Sequence, residues 1–176
     1  AQPALMEQLI AAVDGMWRGE TFRRLPLIDL PLIGRQGLTT WLSDLLAHPR
    51  SHSYWQGQAC DPADITIPAL HIGGWYDIFA ASTVRDFAAI RAAGNTQQKL
   101  VMGPWYHGPM EGWVGEIDFG MAASSAVLLP DEMQLRWFDH WLKGSANGVM
   151  DEPPVQLFVM GRNRWRTEHE WPLARA

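Results

Sequence analysis

The sequence predicts an α/β fold built around a parallel sheet, and three observations predict it. Ala69-Leu70-His71-Ile72 is a short apolar run closed by Gly73-Gly74, the pattern of a strand buried on both faces. Residues 79–93 then set Ala80, Val84, Phe87 and Ile90 on one helical face, with Gly94-Asn95 as the stop. Lys99-Leu100-Val101-Met102 is a second apolar run, ending at Gly103-Pro104. Strand, helix and strand in about 35 residues form a βαβ unit whose strands run parallel.

The flanking elements follow from period and punctuation. Leu5, Leu9, Ile10, Val13 and Met16 recur at helical spacing and predict a helix from Pro3 to Trp17. Residues 18–36 are rich in Pro and Gly without a sustained period and read as loop. A second short helix is expected over 38–47, stopped by Pro49, with loop again over 51–64. After a Gly- and Trp-rich loop (105–120), residues 131–142 form a helix with Met133, Trp137, Phe138 and Trp141 on its apolar face, closed by Gly144. Asn147-Gly148 is a turn signal. Val155 to Met160 and Arg164 to Glu168 read as a pair of strands with no helix between, the opening of a separate all-β domain.

Composition narrows the class. Of 176 residues 47% are hydrophobic, enough for a real core, which argues against disorder. Fourteen basic against 19 acidic side chains leave a net charge of −5, and with no basic run this argues against nucleic acid as a partner. No apolar run reaches the roughly 18–20 residues that span a bilayer, and no basic stretch leads into an apolar one as in a signal peptide. One cysteine, Cys60, excludes an internal disulfide framework and fits a reducing compartment, so a cytoplasmic location is expected. The start Ala1-Gln2-Pro3, without an initiator Met, suggests processing or a fragment.

Two residues carry the chemistry. Asp77 lies just past the first parallel strand and His107 just past the second. Parallel strands bring both loops to the carboxyl edge of the sheet, where open α/β sheets bind ligands. Neighbouring strands are about 4.8 Å apart, so side chains from adjacent loops can meet. A carboxylate that accepts the imidazole Nδ1 proton sets the tautomer and stabilises the imidazolium formed when the ring takes a proton from a nucleophile. Asp before His is the chain order of the second and third members of an α/β-hydrolase triad. The first member, a serine on a Gly-x-Ser-x-Gly elbow, is absent from the sequence; Ser43, Ser51 and Ser53 lack its context and Ser82 lies in a helix.

Structural readings stand beside these. Asp77 before a helix also fits an N-cap. His107 in a Gly/Pro loop also fits a plain hydrogen-bonding role. His48, His52, His71, His140 and His169 lack the grouping of metal ligands, because Pro49 spoils a shared face for His48 and His52. Neither a metal nor a cofactor is expected. Cys60 has no evident base beside it in sequence.

In one order the chain carries Gly73-Gly74-Trp75-Tyr76-Asp77, Gly103-Pro104-Trp105-Tyr106-His107-Gly108, Asp118-Phe119-Gly120, the run from Trp137 to Gly144, Asn147-Gly148-Val149 and the run from Pro154 to Gly161. This ordered set resembles the CocE/NonD hydrolases, the family of cocaine esterase and X-Pro dipeptidyl-peptidase, most strongly from Pro68 to Pro172. The resemblance implies a partial α/β-hydrolase fold: residues 1–60 part of a helical cap, 61–146 the last parallel strands and helices of the core, and 147–176 the truncated start of a C-terminal β jelly-roll. It places Asp77 on the family's triad acid and His107 on its base. The serine elbow and the oxyanion-hole tyrosine lie upstream in the family.

The resemblance also bears on substrate. In the amino-acid ester hydrolases of this family, acidic residues two and three places after the triad Asp help bind the substrate ammonium. Here those positions hold Phe79 and Ala80, which looks more like the cocaine-esterase type, so Phe79 is a candidate wall of an apolar acyl pocket. An aromatic that opens a helix and faces the core is the other reading of Phe79. Trp105 is a second candidate substrate contact. The function implied is serine-type hydrolysis of an acyl ester or an X-Pro-type peptide or amide, with a small ester or peptide as partner and a homodimer left open. The alternative is a non-catalytic fragment or interaction module that keeps only the hydrolase scaffold.

Overall fold

The computed structural model describes residues 2–19, 23, 25–30, 40–49 and 53–174. It divides into two compact units, Ala1–Ala59 and Cys60–Ala176. In the first unit, α1 spans Gln2–Trp17, α2 Trp41–Ala47 and α3 Ser53–Gln56. The expected start of the second helix at 38, much of the 18–36 loop, and Ser51 and His52 lie outside the described residues. An aromatic cluster ties α2 to α3. The Tyr54 hydroxyl donates to Asp44 Oδ2 at 2.9 Å, the Tyr54 ring stacks on His48 at 4.3 Å, and the Trp55 indole donates to the His48 carbonyl at 2.7 Å.

The second unit is a mixed four-stranded sheet, parallel apart from one edge. Its strands are β1 (Ala69–Tyr76), β2 (Gln98–Tyr106), β5 (Val155–Val159) and β6 (Arg164–Glu168), in the order β1-β2-β5-β6, while β3 (Trp113–Val114) and β4 (Ile117–Asp118) form a separate antiparallel pair followed by a short helix α5 (Ser125–Leu128). β1 and β5 both run parallel to β2, and β6 returns antiparallel to β5. β2 lies between two partners and is buried from Gln98 through Trp105, whereas the outer strand β1 is only partly covered.

Helix α4 (Ala80–Ala92) makes the βαβ crossover and covers one face. Its Phe87 joins Leu100, Met102, Val155 and Leu157 in one core cluster, with Ala80, Val84, Trp75 and Trp171 packed around it. Alternation along β2 sends Lys99 and Val101 to the opposite face. There α6 (Pro130–Lys143) lies across a cavity of about 400 Å³ walled by Leu70, Val101, Met133 and Trp137. Trp137 is buried there, but Phe138, expected on the same apolar face, is half exposed. Pro130 at the first turn starts α6, and Gly144 at φ 70° ends it.

Buried polar groups pin this face. Lys99 is nearly buried and reaches Glu152 Oε2 at 3.2 Å, while Arg136 on α6 donates to Glu152 Oε1. Burial pushes the Lys99 ammonium below its ordinary pKa, against the pull of Glu152. For Glu152 burial acts upward, but hydrogen bonds from Arg136 and Lys99 outweigh it and hold the carboxyl below its usual range.

The tail from Asn147, expected to open a separate all-β domain, here sets β5 beside β2 and extends the parallel sheet, carrying β6 with it. Its local pattern is that of any hairpin, and strand pairing is decided by which buried neighbours lie alongside. The strands also run through the glycines that were read as their ends. β1 continues to Tyr76 and β2 to Tyr106. Those glycines are there for close approach. A Cβ on Gly74 would overlap the Trp105 carbonyl, and one on Gly103 would overlap the Trp105 ring.

Candidate active site

The pairing register brings the two chemical residues together. Gly74 lies opposite Gly103 but Tyr76 opposite Tyr106, so two steps on β1 match three on β2. The additional residue is a bulge at Pro104-Trp105, which also accommodates a proline inside a central strand. Past it, Asp77 and His107 each follow a member of the Tyr76–Tyr106 pair.

Each side chain is then aimed by a local turn. The Asp77 N–H donates to the Gly74 carbonyl at 3.1 Å, and Asp77 Oδ1 accepts the Phe79 N–H at 2.8 Å, an Asx turn leading into α4. His107 is the centre of a three-residue turn closed by the Gly108 N–H on the Tyr106 carbonyl at 2.8 Å. A Cβ at Gly108 would strike the Tyr106 ring, so glycine keeps this turn tight. Asp77 Oδ2 and His107 Nδ1 lie 3.2 Å apart.

The two oxygens of Asp77 are therefore divided between the helix start and the imidazole, so capping α4 leaves Oδ2 available to His107. The Phe79 N–H holds the Asp77 carboxyl below its ordinary pKa; desolvation opposes this and the His107 bond adds to it. An ionised carboxylate only accepts, so Nδ1 of a neutral His107 carries the proton and Nε2 is left basic. The His107 side chain is 64% exposed and that of Asp77 16%. A base turned toward solvent and a mostly covered acid behind it are the disposition that general-base catalysis needs.

A cavity of about 360 Å³ opens beside the pair, lined by Ile72, Gly73, Asp77, Tyr106, His107 and Met110. Phe79 is 53% exposed, and its ring lies 5.2 Å from the imidazole centroid, edge to face at 76°. It is not a core-facing aromatic. Trp105, expected to touch substrate, is among the residues around this cavity, yet it is 2% exposed and its indole donates to the Ala123 carbonyl at 2.6 Å. Phe119 of the Asp118-Phe119-Gly120 motif packs against Tyr76 and Phe158. His71 bonds to buried Gln98 at 2.9 Å and His140 contacts the Ser145 carbonyl at 3.0 Å, both away from this pair.

Sequence reasoning located Asp77 and His107 but missed the Phe79 N–H as the group that holds the acid. The signal is present, since an Asp two residues before the N-cap of a helix is the pattern of an Asx turn. Among the described residues no serine hydroxyl is bonded to His107; Ser82, on α4, donates to the Phe79 carbonyl at 2.9 Å. Nor do three His, Cys, Asp or Glu side chains gather as metal ligands among the described residues. No helix among them is long and apolar enough to cross a membrane.

Known proteins share this arrangement of sequence and fold. The family model for X-Pro dipeptidyl-peptidase (S15 family) matches residues 11–109, a stretch that includes both Asp77 and His107. The chain is 36% identical over 151 residues to cocaine esterase of Rhodococcus sp. (strain MB1 Bresler), across 84% of this chain and 26% of the esterase. It superposes on an aminopeptidase from the marine sediment archaeon Thaumarchaeota archaeon with a TM-score of 0.61 at 27% identity, over 77% of this chain and 23% of that one. A CocE/NonD family hydrolase from Staphylococcus aureus shares the fold at a TM-score of 0.56 and 18% identity, over 83% of this chain and 23% of its own. The chain thus spans about a quarter of the length of the relatives it matches. It belongs to the X-Pro dipeptidyl-peptidase (S15) family, the CocE/NonD hydrolases.

Proposed function

We propose that this chain is the acid- and base-bearing part of a serine hydrolase that works by two-step acyl transfer on an ester or an X-Pro-type amide. The observation that carries the reading is the 3.2 Å contact between Asp77 and His107 at the carboxyl edge of two parallel strands. Family membership supports the same chemistry. A serine outside these 176 residues attacks the carbonyl and His107 Nε2 takes its proton. Asp77 holds Nδ1 and stabilises the imidazolium. The leaving group departs with the proton from His107, and water, activated by the same ring, releases the acid. Backbone N–H groups near the serine stabilise the tetrahedral oxyanion.

Substrate preference leans toward an ester with an apolar acyl group. An aromatic at Phe79, where an amino-acid ester hydrolase would place an acid, favours apolar contact over ammonium binding. On this reading the chain belongs to a longer catalytic polypeptide, with residues 1–60 contributing to a cap.

The test is hydrolysis of an activated aryl ester by the catalytically complete protein. His107→Ala is expected to lower kcat by about four to six decades, and the 176-residue chain alone to turn over almost nothing. Turnover that survives His107→Ala would remove the base from the mechanism. The absence of a serine beside His107 among the described residues favours a second reading, a non-catalytic scaffold module. That reading predicts no labelling of the complete protein by a serine-directed fluorophosphonate.

A further inference from the structure

We infer that Phe79 is a positioning residue for the base: its ring holds the His107 imidazole in the orientation in which Nδ1 meets Asp77 and Nε2 faces the bond to be broken. The inference rests on the acyl-transfer reading above and deepens it.

His107 needs such a support. It sits at the apex of a three-residue turn with most of its side chain in solvent. One hydrogen bond of 3.2 Å fixes the distance to Asp77 but leaves the ring free to tilt about that bond. Rotation about χ2 would also exchange the ring edge offered to Asp77, since sp³–sp² torsions are soft. The Phe79 ring supplies a second contact, 5.2 Å away at 76°, in the edge-to-face geometry that aromatic pairs favour.

Phe79 is itself anchored. Its N–H donates to Asp77 Oδ1, and its carbonyl accepts from the Thr83 N–H at 2.9 Å, the Thr83 hydroxyl at 3.0 Å and the Ser82 hydroxyl at 2.9 Å. One residue therefore grips the acid through its main chain and the base through its side chain. The two functions separate cleanly, because any substitution except proline retains the N–H.

The experiment uses the catalytically complete protein, labelled with ¹⁵N at histidine, and compares Phe79→Leu, Phe79→Tyr and Asp77→Asn. Phe79→Leu keeps apolar bulk and the N–H but removes the ring. A ring pair of this kind is expected to contribute about two- to tenfold. Phe79→Leu should lower kcat by that factor for an acetyl and a benzoyl aryl ester alike, with any rise in KM confined to the benzoyl ester. The His107 ¹⁵N spectrum should change from the Nδ1–H tautomer to a mixture, and Phe79→Tyr should restore both readouts. A loss confined to KM for the benzoyl ester, with the Nδ1–H tautomer intact, makes Phe79 a pocket wall only and overturns the inference. Asp77→Asn separates this from the underlying reading. If Asp77→Asn lowers kcat while Phe79→Leu moves neither readout, only the role of Phe79 is lost. If Asp77→Asn leaves kcat and tautomer unchanged, the acyl-transfer reading fails and the inference falls with it.

Discussion

Tyr76 stands opposite Tyr106 in the parallel β1–β2 pair, although Gly74 stands opposite Gly103. The residue that β2 gains between these two pairings decides where His107 projects. Side chains alternate along a strand, so an offset of one residue exchanges the faces. Without the bulge at Pro104-Trp105, Tyr106 rather than His107 would follow in step with Asp77. The dyad thus depends on an irregularity in the ladder, which depends in turn on glycine at 74 and 103.

Asp77→Asn is expected to lower kcat of the complete protein by about four decades. An amide at this position donates as readily as it accepts, so it no longer selects the Nδ1–H form of His107. Steady-state kinetics on an aryl ester measures the loss, and an unchanged kcat would exclude Asp77 as the acid.

Asp77 also makes stability depend on acid. Its folded pKa lies below the ordinary 3.8. Between that value and the lower folded one, the unfolded chain binds the proton and the folded chain does not, so stability rises with pH through this window and is lost as pH falls through the folded pKa. Thermal melts from about pH 5 down to about pH 3 are expected to show a steeper fall in Tm for wild type than for Asp77→Asn, which lacks the titrating group. Parallel curves would mean that the contact does not persist in solution.

Gly74→Ala is expected to cost about 2–3 kcal/mol, because its Cβ meets the Trp105 main chain, which cannot move aside without opening the bulge. Gly73→Ala is expected to cost about 1 kcal/mol, since the atoms it meets are the flexible Met102 Sδ and the Thr83 side chain. Urea denaturation of the two variants tests the order, and equal costs would show that the close approach at Gly74 is not rigid.

At the opposite face, removal of Glu152 and removal of Lys99 are expected to differ. Glu152→Gln leaves the nearly buried Lys99 without its counter-charge and is expected to cost about 2 kcal/mol, less than a fully buried pair because Glu152 is half exposed. Lys99→Met removes the buried charge and leaves Glu152 with Arg136, at a cost of about 1 kcal/mol or less. Denaturant midpoints decide it; a costlier Lys99→Met would show that the ammonium is well solvated.

Trp105→Phe is expected to destabilise by about 1–2 kcal/mol, through the lost bond to the Ala123 carbonyl and a smaller buried ring. KM should change little, because Trp105 borders the cavity beside His107 but is only 2% exposed. A raised KM at unchanged Tm would return Trp105 to the substrate site.

Much of the site was legible in sequence because its signals are local. The apolar runs that end in glycine marked β1 and β2, and the helical period of Ala80, Val84, Phe87 and Ile90 marked α4. The topology of a βαβ unit then placed Asp77 and His107 at one rim. The hairpin β5–β6 was assigned to another domain because its pattern does not say which strand it will adjoin. Burial of Val155 and Leu157 against Leu100 and Met102 makes that choice. The burial of Trp105 is not legible in sequence, because an aromatic beside glycines has the same signature whether its ring turns inward or outward.

The parallel βαβ unit, the order of Asp77 before His107 and the family likeness are written in the residue order, because helix period, strand runs and ordered motifs are properties of neighbours along the chain. Tertiary structure alone decided the bulge that brings Asp77 into line with His107, the edge-to-face contact from Phe79, the inward turn of Trp105 and the place of β5 beside β2. Each of these is a matter of which surfaces meet across the sheet, and close packing between distant segments leaves no periodic trace in the order of residues.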